Sequence, residues 1–99
     1  MKYWFCTIHK TAKRDTVTTD IVLPVLLSHT AYFKKLGAAG ECLIAGPFVD
    51  QTDATFGSGC YVLKAENEGL AREMADADPL VSEGYYSYAI REWSKVVPE

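Results

Sequence analysis

Aromatic or β-branched runs alternate with stretches of helical periodicity in a single order along the chain, and that order limits the fold more than any other feature of the sequence. Lys2–His9 (KYWFCTIH) carries apolar residues at both parities, as expected for a strand covered on both faces. Lys10–Asp20 is polar and Thr-rich; Thr18, Thr19 or Asp20 can cap the helix that follows, with Pro24 in its permissive first turn. That helix runs to about Ala39, and Gly37 and Gly40 stop it. Cys42–Val49 (CLIAGPFV) predicts a second strand whose end is marked by Gly46-Pro47, and Asp50–Thr55 is turn-like. Gly57–Ala65 (GSGCYVLKA) predicts a third strand, entered through glycines and paired with the second as a hairpin. Glu66 to about Ala77 predicts a second helix with Asn67 or Glu66 near its cap and Leu70, Met74 and Ala77 along one side; it must stop before Pro79. Tyr85–Trp93 (YYSYAIREW) predicts the fourth strand.

The order βαββαβ, with a right-handed crossover in each βαβ unit, predicts a ferredoxin-like α+β sandwich: a four-stranded antiparallel sheet with two helices on one face. The 99 residues have room for one domain, 1–99, with one core. The other face of the sheet is then open, and strands with aromatics at both parities would expose a large apolar patch there. Pairing of two sheets in a homodimer removes it.

Charge and cysteine usage narrow the partners. Ten basic residues against 13 acidic ones leave a formal charge of −3, and Lys10–Arg14 is the longest basic cluster, so the sequence lacks the electrostatic footprint of a nucleic-acid binder. The longest uncharged stretch, Ile21–Phe33, is interrupted by Pro24, Ser28 and His29 and is too short for a bilayer, which takes about 20 apolar residues. The N-terminus has no signal-peptide pattern, and Cys6, Cys42 and Cys60 are odd in number, form no CxxC pair and sit in apolar runs. Buried reduced thiols in a cytoplasmic protein are expected.

Few residues can carry chemistry. On a helical wheel Val22, Val25, Leu26, His29, Tyr32, Phe33, Leu36 and Gly40 share one face, with His29 near its centre. A histidine there is either a core residue satisfied by one carbonyl or a general acid or base; His9, at a strand end beside lysines, has a weaker claim. Asp78 falls at the negative end of the second helix, where something must compensate it. It can cap a helical turn through Val81, with Pro79 following, or face a charged partner such as a histidine of the other helix. Ser58, between two glycines, can donate to a ligand or simply complete a turn. There is no GxSxG elbow, phosphate-binding glycine loop, HExxH or Cys/His metal set, so serine-nucleophile, nucleotide and zinc chemistry are weakly supported.

Taken together, His29-Thr-Ala-Tyr-Phe-Lys-Lys-Leu, Gly40-Glu-Cys-Leu-Ile-Ala-Gly-Pro-Phe, Gly57-Ser58, Ala75-Asp-Ala-Asp-Pro-Leu-Val and the closing aromatic strand resemble the YCII (YciI-like) family over nearly the whole chain. The resemblance implies a dimeric α/β barrel in which two sheets face each other, and an active-site His-Asp pair carried here by His29 and Asp78. One characterised type in the family is a dehydrochlorinase of chlorinated hydroxyhydroquinone. Similar barrels, muconolactone isomerases and cofactor-free monooxygenases, are an analogy of fold only. Family members often have an arginine shortly before the helix histidine, where Val25, Leu26 and Leu27 stand here.

The resulting expectation is an enzyme acting without a cofactor or metal on a small aromatic or lactone catabolite by elimination or isomerisation. His29 would move the proton, Asp78 would orient the ring, Ser58 would bind a substrate oxygen, and Tyr3, Phe5, Tyr61 and Tyr86 could line the pocket. The alternative is a non-catalytic ligand-binding or accessory domain in which the His-Asp pair is a structural hydrogen bond.

Overall fold

Strand β1 (Lys2–Lys10) shows how the aromatic runs are used. Trp4, Cys6 and Ile8 are buried, whereas Tyr3, Phe5, Thr7 and His9 between them are half-buried. The period of two therefore separates a helix-covered face from an open one. In the computed structural model, which describes residues 1–99, β1 is followed by α1 (Ala12–Asp15), α2 (Thr19–Ala38), β2 (Cys42–Pro47), β3 (Gly59–Ala65), α3 (Glu68–Asp76), α4 (Pro79–Ser82) and β4 (Tyr86–Trp93). The sheet order is β2-β3-β1-β4 with every pairing antiparallel, which is the ferredoxin-like topology.

The core lies between the sheet and the helices: Trp4, Cys6, Tyr61 and Leu63 of the sheet meet Val22, Phe33 and Leu36 of α2 and Ala71 and Ala75 of α3. The α3 stripe differs from expectation. Leu70 and Ala77 are exposed and Met74 is half-buried, while Ala71 and Ala75 turn inward, because a small side chain lets the helix backbone approach β3. Asn67 caps α3 by accepting from Leu70 N–H at 2.9 Å.

Helix α2 starts at Thr19 with Thr18 as N-cap, which places Pro24 at its sixth residue, beyond the first turn expected from sequence. Only one of the two glycines stops it. Gly37 is helical, whereas Gly40 adopts φ +76°, its N–H bonding Gly37 C=O at 3.1 Å and Glu41 N–H bonding Leu36 C=O at 2.9 Å, a Schellman closure. The short α1 lies within the polar, Thr-rich segment Lys10–Asp20, for which the sequence predicted no element. It is fastened to the far end of the chain by Thr11 Oγ1, donating to Gly84 C=O at 2.6 Å, and by Lys13 Nζ, donating to Glu83 C=O at 2.6 Å. No helix is long and apolar enough to cross a membrane.

Candidate functional site

His29 sits in the middle of α2 on its inward arc, and Asp78 at the junction of α3 and α4. The packing of α2 against α4 brings them together: Asp78 Oδ1 lies 2.8 Å from His29 Nδ1. The Asp78 side chain is fully buried and that of His29 is 20% exposed.

The two compensations that the sequence left open for Asp78 both occur, and on the same oxygen. Oδ1 also accepts from Leu80 N–H at 3.0 Å, so Asp78 is the N-cap of α4, with Pro79 opening the turn. The carboxylate thus caps α4 and holds the imidazole. Its other oxygen, Oδ2, is buried without a hydrogen-bond partner.

An ionised carboxylate only accepts, so His29 Nδ1 carries a proton and Nε2 is left free. Beside the ring is a cavity of about 450 Å³ lined by His29. Leu26, Phe33 and Gly37 of α2 form one wall and Ile44 and Ala45 of β2 another, with Tyr61, Leu80 and Tyr86 completing the apolar lining. His29, Phe33 and Tyr61 are stacked in sequence, with ring centroids 4.9 Å and then 4.5 Å apart. The Tyr61 hydroxyl is buried without a hydrogen-bond partner; burial, with the nearby Cys6 and Asp78, pushes its pKa well above the ordinary phenol value.

Ser58 enters the cavity from the loop before β3. Its N–H donates to Ile8 C=O at 2.7 Å and its C=O accepts from Phe48 N–H at 3.0 Å, so the backbone is held while the hydroxyl has no partner in the chain. The flanking glycines make this seat possible. A Cβ on Gly57, where φ is +81°, would lie 2.3 Å from Ile8 O, and one on Gly59 would lie 2.7 Å from Gly46 O. The close approach that these glycines allow is therefore by neighbouring strands.

Of the aromatics expected at the pocket, Tyr61 and Tyr86 line it, and Tyr3 and Phe5 lie on the opposite face of the sheet. Sequence reasoning passed over Lys34, Gln51 and Cys60, which also line the cavity. The wheel already holds the signal for Lys34, which lies one turn beyond Thr30 on the cavity side; Gln51 comes from the β2–β3 connection, which no periodicity describes, and Cys60 from the start of β3. Val25–Leu27 contributes Leu26 to the cavity wall. His9 is spent elsewhere, its Nε2 2.8 Å from Thr7 Oγ1. The three cysteines are free, Cys6 and Cys42 buried and Cys60 half-buried.

Comparison with known proteins bears on the fold and the family. The uncharacterized protein YjpA of Bacillus subtilis (strain 168) is 35% identical over 65 residues, 66% of this chain and 71% of that protein. Among solved structures, the 5-chloro-2-hydroxyhydroquinone dehydrochlorinase TftG of Burkholderia phenoliruptrix AC1100, in complex with 2,5-dihydroxybenzoquinone, matches with a TM-score of 0.64 over 95% of this chain and 94% of that one. At 17% identity that likeness speaks to the fold alone. The model of the YCII-related domain matches residues 1–94, and the chain belongs to that family.

Proposed function

We propose that the protein is an enzyme of small-molecule catabolism that acts on a flat aromatic or lactone substrate by proton transfer, in an elimination such as dehydrochlorination or in an isomerisation, using its own side chains as the acid and base. The observation that carries this reading is the His29–Asp78 pair: a carboxylate withdrawn from water holds one imidazole nitrogen at 2.8 Å, and the same ring lines the cavity.

In the elimination, a chlorinated hydroquinone reacts as its keto tautomer, in which a phenolic proton has moved to the chlorine-bearing carbon; His29 Nε2 takes the proton of the remaining hydroxyl, the O–H electrons form the second carbonyl, the ring C=C electrons shift toward the chlorine-bearing carbon, and chloride departs with the electrons of the C–Cl bond. Asp78 stabilises the imidazolium so formed and fixes its orientation. The Ser58 hydroxyl donates to a substrate oxygen. The fold shared with a dehydrochlorinase supports the reaction class, and the apolar lining supports a ring substrate.

Chloride release from chlorinated dihydroxybenzenes tests the proposal. His29→Asn is expected to lower turnover by a factor of about 10² to 10⁴ with the fold retained. Absence of chloride release and of isomerisation across such a panel, with ligands still bound, would favour a binding domain instead. That second reading has one observation behind it, the capping of α4 by Asp78, which gives the carboxylate a purely structural task.

The same proposal includes a homodimer joined through the open sheet face, where Tyr3, Phe5, Ala89 and Trp93 lie side by side. Phe5→Glu should halve the mass seen by light scattering; a wild-type chain that is already monomeric would remove this part. Three free cysteines fit a reducing compartment, and we place the protein in the cytoplasm.

A further inference from the structure

We propose that Lys34 is a specificity-determining residue that selects substrates carrying an anionic group, a carboxylate or ionised phenol, at the end of the ring remote from His29. The inference rests on the reading of the cavity as a substrate site.

The first support is the sign of the charge. Apart from the imidazole of His29, Lys34 is the single ionisable cation among the residues lining the cavity, and no Asp or Glu lines it. Nor is the ammonium engaged elsewhere: the ion pairs of the chain are Lys2–Glu92, His29–Asp78 and Arg72–Glu68. A cation beside an apolar hollow with no acid in its walls is complementary to an anion and unfavourable for a cation.

The second support is position. At about 100° per residue, His29, Phe33, Leu26, Gly37, Thr30 and Lys34 fall in that order across an arc of about 140° on α2. His29 and Lys34 therefore mark the two edges of the helical wall, with Phe33, Leu26, Gly37 and Thr30 between them. Thr30, the other polar residue on the arc, already donates its hydroxyl to Leu26 C=O at 3.1 Å. A ring lying along this wall has its reacting group at the imidazole edge and its polar substituent at the ammonium edge.

The test is a binding titration followed by backbone NMR shifts, using 4-hydroxybenzoate and 4-hydroxybenzamide, which match in size and differ in charge. The wild-type chain should bind the benzoate about tenfold more tightly than the amide, in keeping with one charge-assisted hydrogen bond. Lys34→Gln should equalise the two while leaving amide binding unchanged, and Lys34→Arg should keep the preference. Equal wild-type affinities, a preference that survives in Lys34→Gln, or failure of both ligands to perturb the cavity would each overturn the proposal. A clear charge preference in a chain that turns over no substrate would leave the role of Lys34 standing and defeat only the catalytic reading.

Discussion

The two histidines sit in different settings. Each has a ring nitrogen 2.8 Å from one side-chain oxygen, His29 from Asp78 on the helix-covered side and His9 from Thr7 on the open side. The partner of His29 is a carboxyl group with no exposure to solvent, tied also to the start of α4; the partner of His9 is a neutral hydroxyl on a half-buried strand position. The same distance therefore means different things. An ionised carboxylate removed from water must be compensated, and that requirement binds α2, α3 and α4 to one another around the cavity. The open face also carries aromatics, Tyr3, Phe5 and Trp93, but nothing whose loss would leave a buried charge. Aromatic side chains occur on both faces; a buried ionisable group with a partner marks only one as a candidate site.

Thiol labelling separates the two sides most sharply. Burial pushes the Cys6 pKa up to about 12, so at pH 8 only about one molecule in ten thousand carries the reactive thiolate. Cys60, half-buried and paired with Thr7 on the open face of the sheet, should be alkylated by iodoacetamide on the order of a thousandfold faster than Cys6. Peptide mapping over a time course measures the ratio, and labelling of Cys6 at a similar rate would mean that the helix-covered side opens readily.

Next in size is the removal of each histidine's partner. Asp78→Ala strips the cap from α4 and leaves His29 Nδ1 unpaired, and should cost about 3 kcal/mol in urea unfolding. Thr7→Val should cost less than about 1 kcal/mol. If the two losses match, the burial argument fails.

The glycines on the two faces give a smaller contrast. A methyl group on Gly59 would lie 2.7 Å from Gly46 O, whereas one on Gly46 would meet nothing within 4 Å. Gly59→Ala is expected to destabilise by about 2 kcal/mol and to shift the amide resonance of Ser58; Gly46→Ala should change stability by less than about 0.5 kcal/mol. The smallest effect belongs to Tyr61→Phe. Removing a buried hydroxyl that has no hydrogen-bond partner should leave stability within about 0.5 kcal/mol of wild type or raise it slightly, and a loss of 2 kcal/mol would reveal a partner for that group.

Much of this was legible in the linear sequence. Strands separated by turn residues, the amphipathic arc of α2 and the cap at Asn67 all follow from local rules, because side-chain period and backbone capping depend on residues within a few positions of each other. Local rules failed where contact with another element decided the matter. The inward face of α3 is Ala71 and Ala75, not the bulkier Leu70, because the helix lies close to β3. Gly37 stays helical because the Schellman closure forms at Gly40.

The candidate site divides the same way. From sequence alone came the ferredoxin-like order of elements, the likeness to the YCII family and the names His29, Asp78 and Ser58. Only the tertiary structure decided that a carboxyl group 49 positions from the histidine caps α4 and meets the imidazole on one oxygen, that Ser58 faces the same hollow, and that Lys34 stands at its edge. Periodicity shows which way a residue faces, but not what it faces. That depends on how α2 lies across α4 and how the β2–β3 connection folds back, and both are settled by packing the whole core at once.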